Sequence, residues 1–184
     1  MKVIGLIGFI GVGKGTVAEY LKKDYSYEII TMGDIVRELA TKLGRSHSRD
    51  DLQGTQREYT AKHGLEYFVK RVIKKIKENK LEKVVVDGIR RPEDVGLPKK
   101  TFSGDMIVLQ IDAEPEIRFE RMKARCRAGD PQTFEEFQRQ EANEFKLFNY
   151  TKTLEYVEFN IENNNRLEDL YKQIDDLVHS LGFD

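Results

Sequence analysis

Residues 8–16, with the sequence GFIGVGKGT, decide the fold of this chain. They follow Lys2–Ile7 (KVIGLI), a short and almost wholly apolar run that is typical of a strand buried on both faces of a parallel sheet. A helix is expected over residues 14–23. A strand, a glycine-rich turn, a lysine and a helix in this order predict an α/β protein with an anion-binding turn.

The glycine-rich turn nearly matches the phosphate-loop pattern G-x-x-x-x-G-K-[ST]. Its backbone N–H groups can point inward around an anion, and Lys14 can reach the β- and γ-phosphates of a nucleotide. Gly15 stands where the pattern has Ser or Thr. Thr16 lies ~100° further round the helix, so we expect it to contact phosphate and not to bind magnesium directly. The residues predicted to bind the nucleotide here are Gly8, Gly11, Val12, Gly13, Lys14, Gly15 and Thr16.

Short apolar runs alternate with helical segments along the rest of the chain. Further strands are expected at residues 28–31, 82–86, 106–111 and 156–161, and a polar loop or flap at 44–54. Such alternation indicates a parallel sheet. We therefore predict a single domain over residues 1–184, with three α/β/α layers and five parallel strands.

Composition excludes several kinds of partner. With 31 Lys and Arg against 32 Asp and Glu, the net charge of −1 indicates neither a nucleic-acid polymer nor a membrane as partner. One cysteine, Cys126, rules out an internal disulfide framework, and the three histidines have no metal-ligand spacing. We expect a cytoplasmic enzyme, monomeric or homodimeric, that acts on a small molecule.

Charged residues follow the third predicted strand, at the sheet edge where open α/β sheets bind ligands. Asp87 ends an apolar run and is expected to orient water on Mg²⁺. Arg90 and Arg91 come next, and both are candidates to bind an anion. Pro92 pushes Arg91 toward an extended conformation, which favours Arg90 for this role.

A second group of arginines lies on the helices of residues 118–148. Arg118, Arg121 and Arg125 share one helical face, which either carries cations to a phosphate or is neutralised by neighbouring glutamates. The turn after this helix predicts a lid that swings these arginines onto ATP. Arg139 on the following helix, which Thr133 and Glu136 are expected to cap, is a further candidate for the cluster.

Two polar residues follow the second strand. Asp34 either caps a helix that begins at Ile35 or contacts the acceptor, and Arg37 points the same way one turn later. Arg57, beside the flap, either encloses the acceptor or belongs to a solvated helix start. Asn163 follows the last strand in an asparagine-rich turn.

The chain resembles the adenylate-kinase group of nucleoside monophosphate kinases. The resemblance is carried by G-K-G-T in the loop, by residues 32–37 (MGDIVR), by residues 86–91 (VDGIRR) and by Arg121 with Arg125. Within this group the chain is most similar to an incompletely characterised adenylate-kinase-related family. Residues 52–57 (LQGTQR) are also similar to phage and bacterial deoxynucleoside monophosphate kinases.

This resemblance implies a P-loop kinase fold in which residues 32–80 bind the acceptor. It implies that Arg37 and an arginine of residues 90–91 grip the acceptor's phosphate. Arg121 and Arg125 would gather round the transferring group, and the turn at Asn163 would hold adenine through backbone groups.

The function predicted is transfer of the γ-phosphate of Mg-ATP to a nucleoside or deoxynucleoside monophosphate. Two alternatives stay open. A dephospho-coenzyme A kinase would use Asp34 as a general base toward a sugar hydroxyl. A nucleotide-binding regulatory P-loop protein would have weak ATPase activity only.

Overall fold

The computed structural model describes residues 1–126 and 130–183, and at its centre lies a sheet in which every strand is parallel to its neighbours. The strand order is β2-β3-β1-β4-β5. The strands are β1 (Lys2–Ile7), β2 (Glu28–Thr31), β3 (Lys83–Asp87), β4 (Met106–Asp112) and β5 (Phe159–Glu162). The predicted α/β class and the five-stranded parallel sheet are confirmed.

Nine helices occur in the described residues and connect or follow the strands. They are α1 (Lys14–Tyr25), α2 (Met32–Lys42), α3 (Arg49–His63), α4 (Tyr67–Glu78), α5 (Pro92–Thr101), α6 (Pro115–Arg125), α7 (Phe134–Leu147), α8 (Tyr150–Leu154) and α9 (Leu167–Ser180). None of these helices is long and apolar enough to cross a membrane.

The sheet is buried on both faces, as its nearly continuous apolar strands predict. In β1, Val3 and Ile7 pack into one core and Ile4 and Leu6 into the other, because successive side chains of a strand point to opposite faces. Helices cover both cores. This arrangement leaves the carboxyl ends of the strands as the open edge of the sheet.

Strand register brings three functional segments together at this edge. β1 lies next to β3, and Gly5 pairs with Val86, so both strands end at a similar level. Thr31 pairs with Asp87. The P-loop after β1, Asp87 at the end of β3 and the start of α2 after β2 are therefore neighbours.

The prediction of a flap over residues 44–54 is wrong in its second half, because α3 begins at Arg49. Ser48 caps this helix by accepting a hydrogen bond from the Asp51 backbone N–H, at 3.2 Å. Polar residues supply the cap and the first turn, so the segment is helical although it has no apolar periodicity.

Two further differences concern element ends. β5 begins at Phe159 and not near residue 156, because the Tyr156 N–H still donates to Thr153 O in a turn after α8. α6 ends at Arg125, and Cys126 has the left-handed backbone conformation (φ 47°) of a helix C-cap. Residues 127–129, which belong to the turn expected after this helix, lie outside the described residues. The predicted cap of α7 is confirmed: Thr133 Oγ1 accepts from the Glu136 N–H at 3.2 Å.

Candidate active site

The P-loop connects β1 to α1 and is shaped by two glycines with left-handed backbone. Gly11 has φ 85° and Gly13 φ 97°. A Cβ atom at Gly11 would meet Arg118 O at 2.7 Å, and one at Gly13 would meet Asn163 Nδ2 at 2.5 Å. Side chains are therefore excluded at both positions by backbone conformation and by close neighbours.

Lys14 is folded back onto the P-loop. Its Nζ donates to Gly8 O at 2.7 Å and to Phe9 O at 3.1 Å. Burial lowers the pKa of Lys14 from its ordinary value of 10.5 to about 8, although the nearby Asp87 carboxylate works in the opposite direction. An ammonium held by carbonyl groups in this way is a ready partner for the phosphates of a nucleotide.

Asp87 has a buried carboxylate oxygen, Oδ1, that makes no hydrogen bond within the described residues. Together with Lys14, Arg90 and Glu144 it lines a cavity of about 180 Å³ beside the P-loop. An unpaired carboxylate oxygen fits a hydrated Mg²⁺, which commonly keeps several waters and takes one or two protein carboxylates. No group of three or more acidic, His or Cys side chains in the described part of the chain could hold a metal by itself.

Gly15 and Thr16, at the start of α1, are both exposed. No atom lies within 4 Å of the position that a Cβ atom would take at Gly15, and the backbone there needs no glycine. A magnesium ion at this site would therefore depend on Asp87, on water and on the phosphates that it accompanies.

Asn163 connects the P-loop to Arg121. Its side-chain amide donates to Val12 O at 2.8 Å, and its backbone oxygen accepts from Arg121 Nη2 at 2.9 Å. Burial lowers the pKa of Arg121, and its Nη1 has no hydrogen-bond partner within the described residues. The guanidinium is thus held by one nitrogen, and a second nitrogen is buried without a partner among the described residues.

A second, larger cleft of about 780 Å³ adjoins the P-loop cavity. Arg37 from α2 and Arg90 and Arg91 from the turn before α5 line it. Six residues line both the cleft and the cavity and so mark where the two meet: Phe9, Ile10, Gly88, Arg90, Glu144 and Phe148. A donor phosphate at the P-loop and an acceptor in the cleft would face each other across this boundary.

The expectation that Asp34 caps its helix is wrong, because α2 begins earlier. Thr31 is the cap, and its hydroxyl accepts from the Asp34 N–H at 2.9 Å. The Asp34 carboxylate accepts from Thr31 Oγ1 at 2.7 Å and from Arg37 Nη2 at 2.6 Å. Burial works to raise the pKa of Asp34, but these two hydrogen bonds and the charge of Arg37 hold it below its ordinary value.

The arginines of α6 have different partners. Arg118 is 3% exposed and is paired with Glu141 of α7, so this residue joins two helices and does not reach a cavity. Arg125 donates to both carboxylate oxygens of Asp130, at 2.9 and 2.8 Å. Arg118 and Arg125 are therefore neutralised by acidic residues outside α6, whereas Arg121 has no carboxylate at ion-pair distance within the described residues.

Arg57 and Arg139 lie away from the cleft, and Asp34, Arg121 and Arg125 line neither the cleft nor the P-loop cavity. Arg57 is exposed on α3 and does not line the cleft, whereas Gln53, Gln56 and Thr60 of the same helix do. Arg139 is exposed on α7 and lines neither the cleft nor the cavity.

Sequence reasoning missed three residues at the site, which are Asp94, Glu144 and Phe148. Asp94 had a local signal, since an acidic residue in the first turn of a helix that starts with proline often caps its N-terminus. Glu144 and Phe148 had none, because they reach the site only through the packing of α7 and α8 against the sheet edge.

The fold and this site define a P-loop kinase-like domain. A family described as "AAA domain" matches residues 7–138. The chain is 34% identical over 184 residues to the UPF0200/UPF0201 protein of Archaeoglobus fulgidus, covering 99% of this chain but only 56% of that relative. It is 30% identical to the UPF0200 protein of Pyrococcus abyssi, covering 97% of this chain and 96% of the relative. The chain belongs to this AAA-domain family, whose model matches well over half of it, and to the UPF0200 family.

Solved structures share the fold at low sequence identity. The protein TT1252 from Thermus thermophilus aligns with a TM-score of 0.65 at 21% identity, over 98% of this chain and 97% of that chain. A shikimate kinase from Acinetobacter baumannii, solved with shikimate, aligns with a TM-score of 0.59 at 21% identity, over 98% and 94% of the two chains.

Proposed function

We propose that this protein transfers the γ-phosphate of Mg-ATP to the phosphate of a nucleoside or deoxynucleoside monophosphate, giving ADP and the corresponding diphosphate. The observation that carries the proposal is the shared boundary between the P-loop cavity and a cleft lined by three arginines. Phosphoryl transfer depends mainly on clamped phosphates and on cations around the transferring group. Both requirements have candidate residues here.

The donor side of the site belongs to the P-loop. Lys14 and the loop N–H groups would hold the donor phosphates, with Thr16 as a further phosphate contact. Asp87 would orient the water of a bound Mg²⁺, whose charge neutralises the phosphate oxygens. Arg121, held by Asn163, and Arg125 would approach the donor from α6.

The acceptor side of the site belongs to the cleft. Arg37 and one arginine of residues 90–91 would hold the acceptor's phosphate. An acceptor phosphate oxygen is already ionised at neutral pH, so the proposed transfer needs no general base.

A dephospho-coenzyme A kinase would need a base for a sugar hydroxyl. Asp34, the candidate for this role, already accepts hydrogen bonds from Thr31 and Arg37, and its pKa lies below the ordinary value. A carboxylate of low pKa is a poor proton acceptor. These contacts favour a phosphate acceptor over a hydroxyl acceptor.

A panel of ribo- and deoxynucleoside monophosphates, with dephospho-coenzyme A included, tests the proposal when each is assayed with Mg-ATP. We expect at least one monophosphate to be converted to its diphosphate. Phosphorylation of dephospho-coenzyme A alone would establish the hydroxyl kinase instead. Slow ATP hydrolysis across the whole panel would favour the regulatory P-loop protein.

A further inference from the structure

The turn between β3 and α5 holds two consecutive arginines through one buried carboxylate. The N–H groups of Arg90 and Arg91 both donate to the same atom, Asp94 Oδ2, at 3.2 and 3.0 Å. Asp94 is only 5% exposed. We call residues 88–94 the twin-arginine turn.

A second buried side chain holds this turn from another helix. Thr153 of α8 is fully buried, and its hydroxyl donates to Arg90 O at 3.0 Å. The Arg90–Arg91 segment is therefore fixed at its N–H groups by α5 and at a carbonyl group by α8. Fixing a backbone in this way reduces the ordering cost when its side chains bind a ligand.

The two guanidinium groups of the turn share one aromatic ring. The central carbon of the Arg90 guanidinium lies 5.1 Å from the centroid of the Phe148 ring, and that of Arg91 lies 5.0 Å from it. Phe148 is 8% exposed at the end of α7. Both arginines and Phe148 line the 780 Å³ cleft, so the ring holds both cations beside the same space.

Every carboxylate that lines the cleft already has a partner. Asp94 accepts from the two N–H groups of the turn. The other three pair with arginines: Asp130 with Arg125, Glu141 with Arg118, and Glu144 with Arg90 at 3.8 Å. Within the described residues, Arg91 has no carboxylate at ion-pair distance. A cation on a cleft wall without such a partner points to an anionic ligand.

We propose that Arg90 and Arg91 bind the acceptor's phosphate together, and that Asp94 is the positioning residue that fixes both. The inference rests on the proposed function and assigns a second guanidinium of this turn to the acceptor's phosphate. Two adjacent guanidinium groups suit a phosphate dianion, which offers several acceptor oxygens to forked N–H donors. Asp94 acts through the backbone and does not touch the acceptor.

The first test compares Asp94→Asn with its matched control Glu93→Gln. Both variants remove one negative charge from the first turn of α5, but Glu93 makes no contact with the N–H groups of the arginines. We expect Asp94→Asn to raise the acceptor KM about 10-fold while the ATP KM stays within about twofold, because the amide oxygen that replaces the carboxylate makes weaker, uncharged hydrogen bonds to the two N–H groups. Glu93→Gln should leave both constants near wild type. Equal increases in both KM values would overturn the positioning role.

A double-mutant cycle tests whether Asp94 acts through the arginines. If it does, adding Asp94→Asn to the Arg90→Ala/Arg91→Ala variant should raise the acceptor KM no further. Additive effects would overturn the inference. Should Asp94→Asn fail to fold, Thr153→Val replaces it, because this near-isosteric change removes the hydrogen bond to Arg90 O.

Binding of inorganic phosphate separates this inference from the proposed function. The P-loop is first saturated with the β,γ-imido analogue of ATP and Mg²⁺, and phosphate is then titrated into wild type, Arg91→Ala and Asp94→Asn. Weaker phosphate binding in both variants supports the twin-arginine turn, even if the wild type phosphorylates no monophosphate. Unchanged phosphate affinity in both variants would overturn it, even if the wild type proves to be a kinase.

Discussion

Glu144 and Arg90 meet at the boundary between the P-loop cavity and the cleft, with Oε1 of Glu144 3.8 Å from Nη1 of Arg90. Glu144 also lies close enough to Lys14 to work toward raising the pKa of that lysine. A carboxylate at this boundary occupies space near which two phosphates would meet in the proposed reaction, so it competes with them for the same cations.

Replacing this carboxylate should therefore strengthen anion binding. We expect Glu144→Gln to lower the Kd for inorganic phosphate about two- to fivefold, as for loss of one partly exposed ion pair. Isothermal titration calorimetry measures the change. The exposed Glu155→Gln is the control and should bind as wild type does. Weaker phosphate binding by Glu144→Gln would show instead that Glu144 holds Arg90 in its binding position.

Arg37 provides a test of the acceptor side. Arg37→Ala should raise the acceptor KM about 10- to 100-fold, because it removes charge-assisted hydrogen bonds to a phosphate. Affinity for the ATP analogue should be nearly unchanged, since Arg37 lines the cleft and not the P-loop cavity. Steady-state kinetics and analogue binding give the two values, with the exposed Lys62→Ala as control. If the acceptor KM and the Kd of the ATP analogue rise by the same factor, Arg37 does not act specifically on the acceptor.

The lowered pKa of Lys14 predicts that the protein takes up a proton when it binds a nucleotide. Its pKa in the free protein is about 8, and phosphates around the ammonium would raise this pKa. At pH values above about 8, the ATP analogue should therefore bind with uptake of a proton, and its affinity should fall as the pH rises. Calorimetry in two buffers of different ionisation enthalpy measures the uptake. Lys14→Met should abolish it, and an uptake that persists in this variant would assign the proton to another group.

The raised pKa of Asp94 predicts that the free energy of unfolding depends on pH. Burial raises the pKa of Asp94 from 3.8 to about 6, although the N–H groups of Arg91 and Arg90 and the charge of Arg91 work in the opposite direction. The folded protein then binds this proton more tightly than the unfolded chain does, so the contribution is present at low pH and is lost as the pH rises from about 4 to about 6. At ~1.4 kcal/mol per pH unit, the loss amounts to about 3 kcal/mol.

Urea unfolding at several pH values measures this contribution as a difference between wild type and Asp94→Asn. The difference in the free energy of unfolding should change across this pH range, since only the wild type titrates at position 94. A constant difference would mean that Asp94 has an ordinary pKa in the folded protein.

The sheet and the P-loop could be predicted because their signals are local. Buried strands need apolar runs, and the P-loop needs glycines at fixed offsets from a lysine. α5 lacked such a signal, since Gly96 and Pro98 are poor helix formers that are held here by tertiary packing. The cap role expected for Asp34 is wrong because Thr31 ends a strand and caps a helix at the same position, whereas its contact to the acceptor stays a prediction.

The acid partners of the arginines could not be predicted in the same way. Arg118 pairs with Glu141, and Arg90 with Glu144, between segments that are distant in sequence. Which arginine receives a carboxylate depends on how α7 lies beside α6 and beside the turn that follows β3. Sequence periodicity places a charge on a helix face, but it does not specify which neighbouring helix presents the opposite charge.

The open space at Gly15 has a consequence for engineering the P-loop. Because neither neighbouring atoms nor the backbone require glycine there, Gly15→Ser should fold normally and would restore the wording of the phosphate-loop pattern. Adding one hydroxymethyl group at position 15, where the structure has room for it, would therefore give a P-loop whose own side chain can bind magnesium. The same backbone is therefore compatible with a magnesium ion held through Asp87 and water and with one held by a side chain of the P-loop.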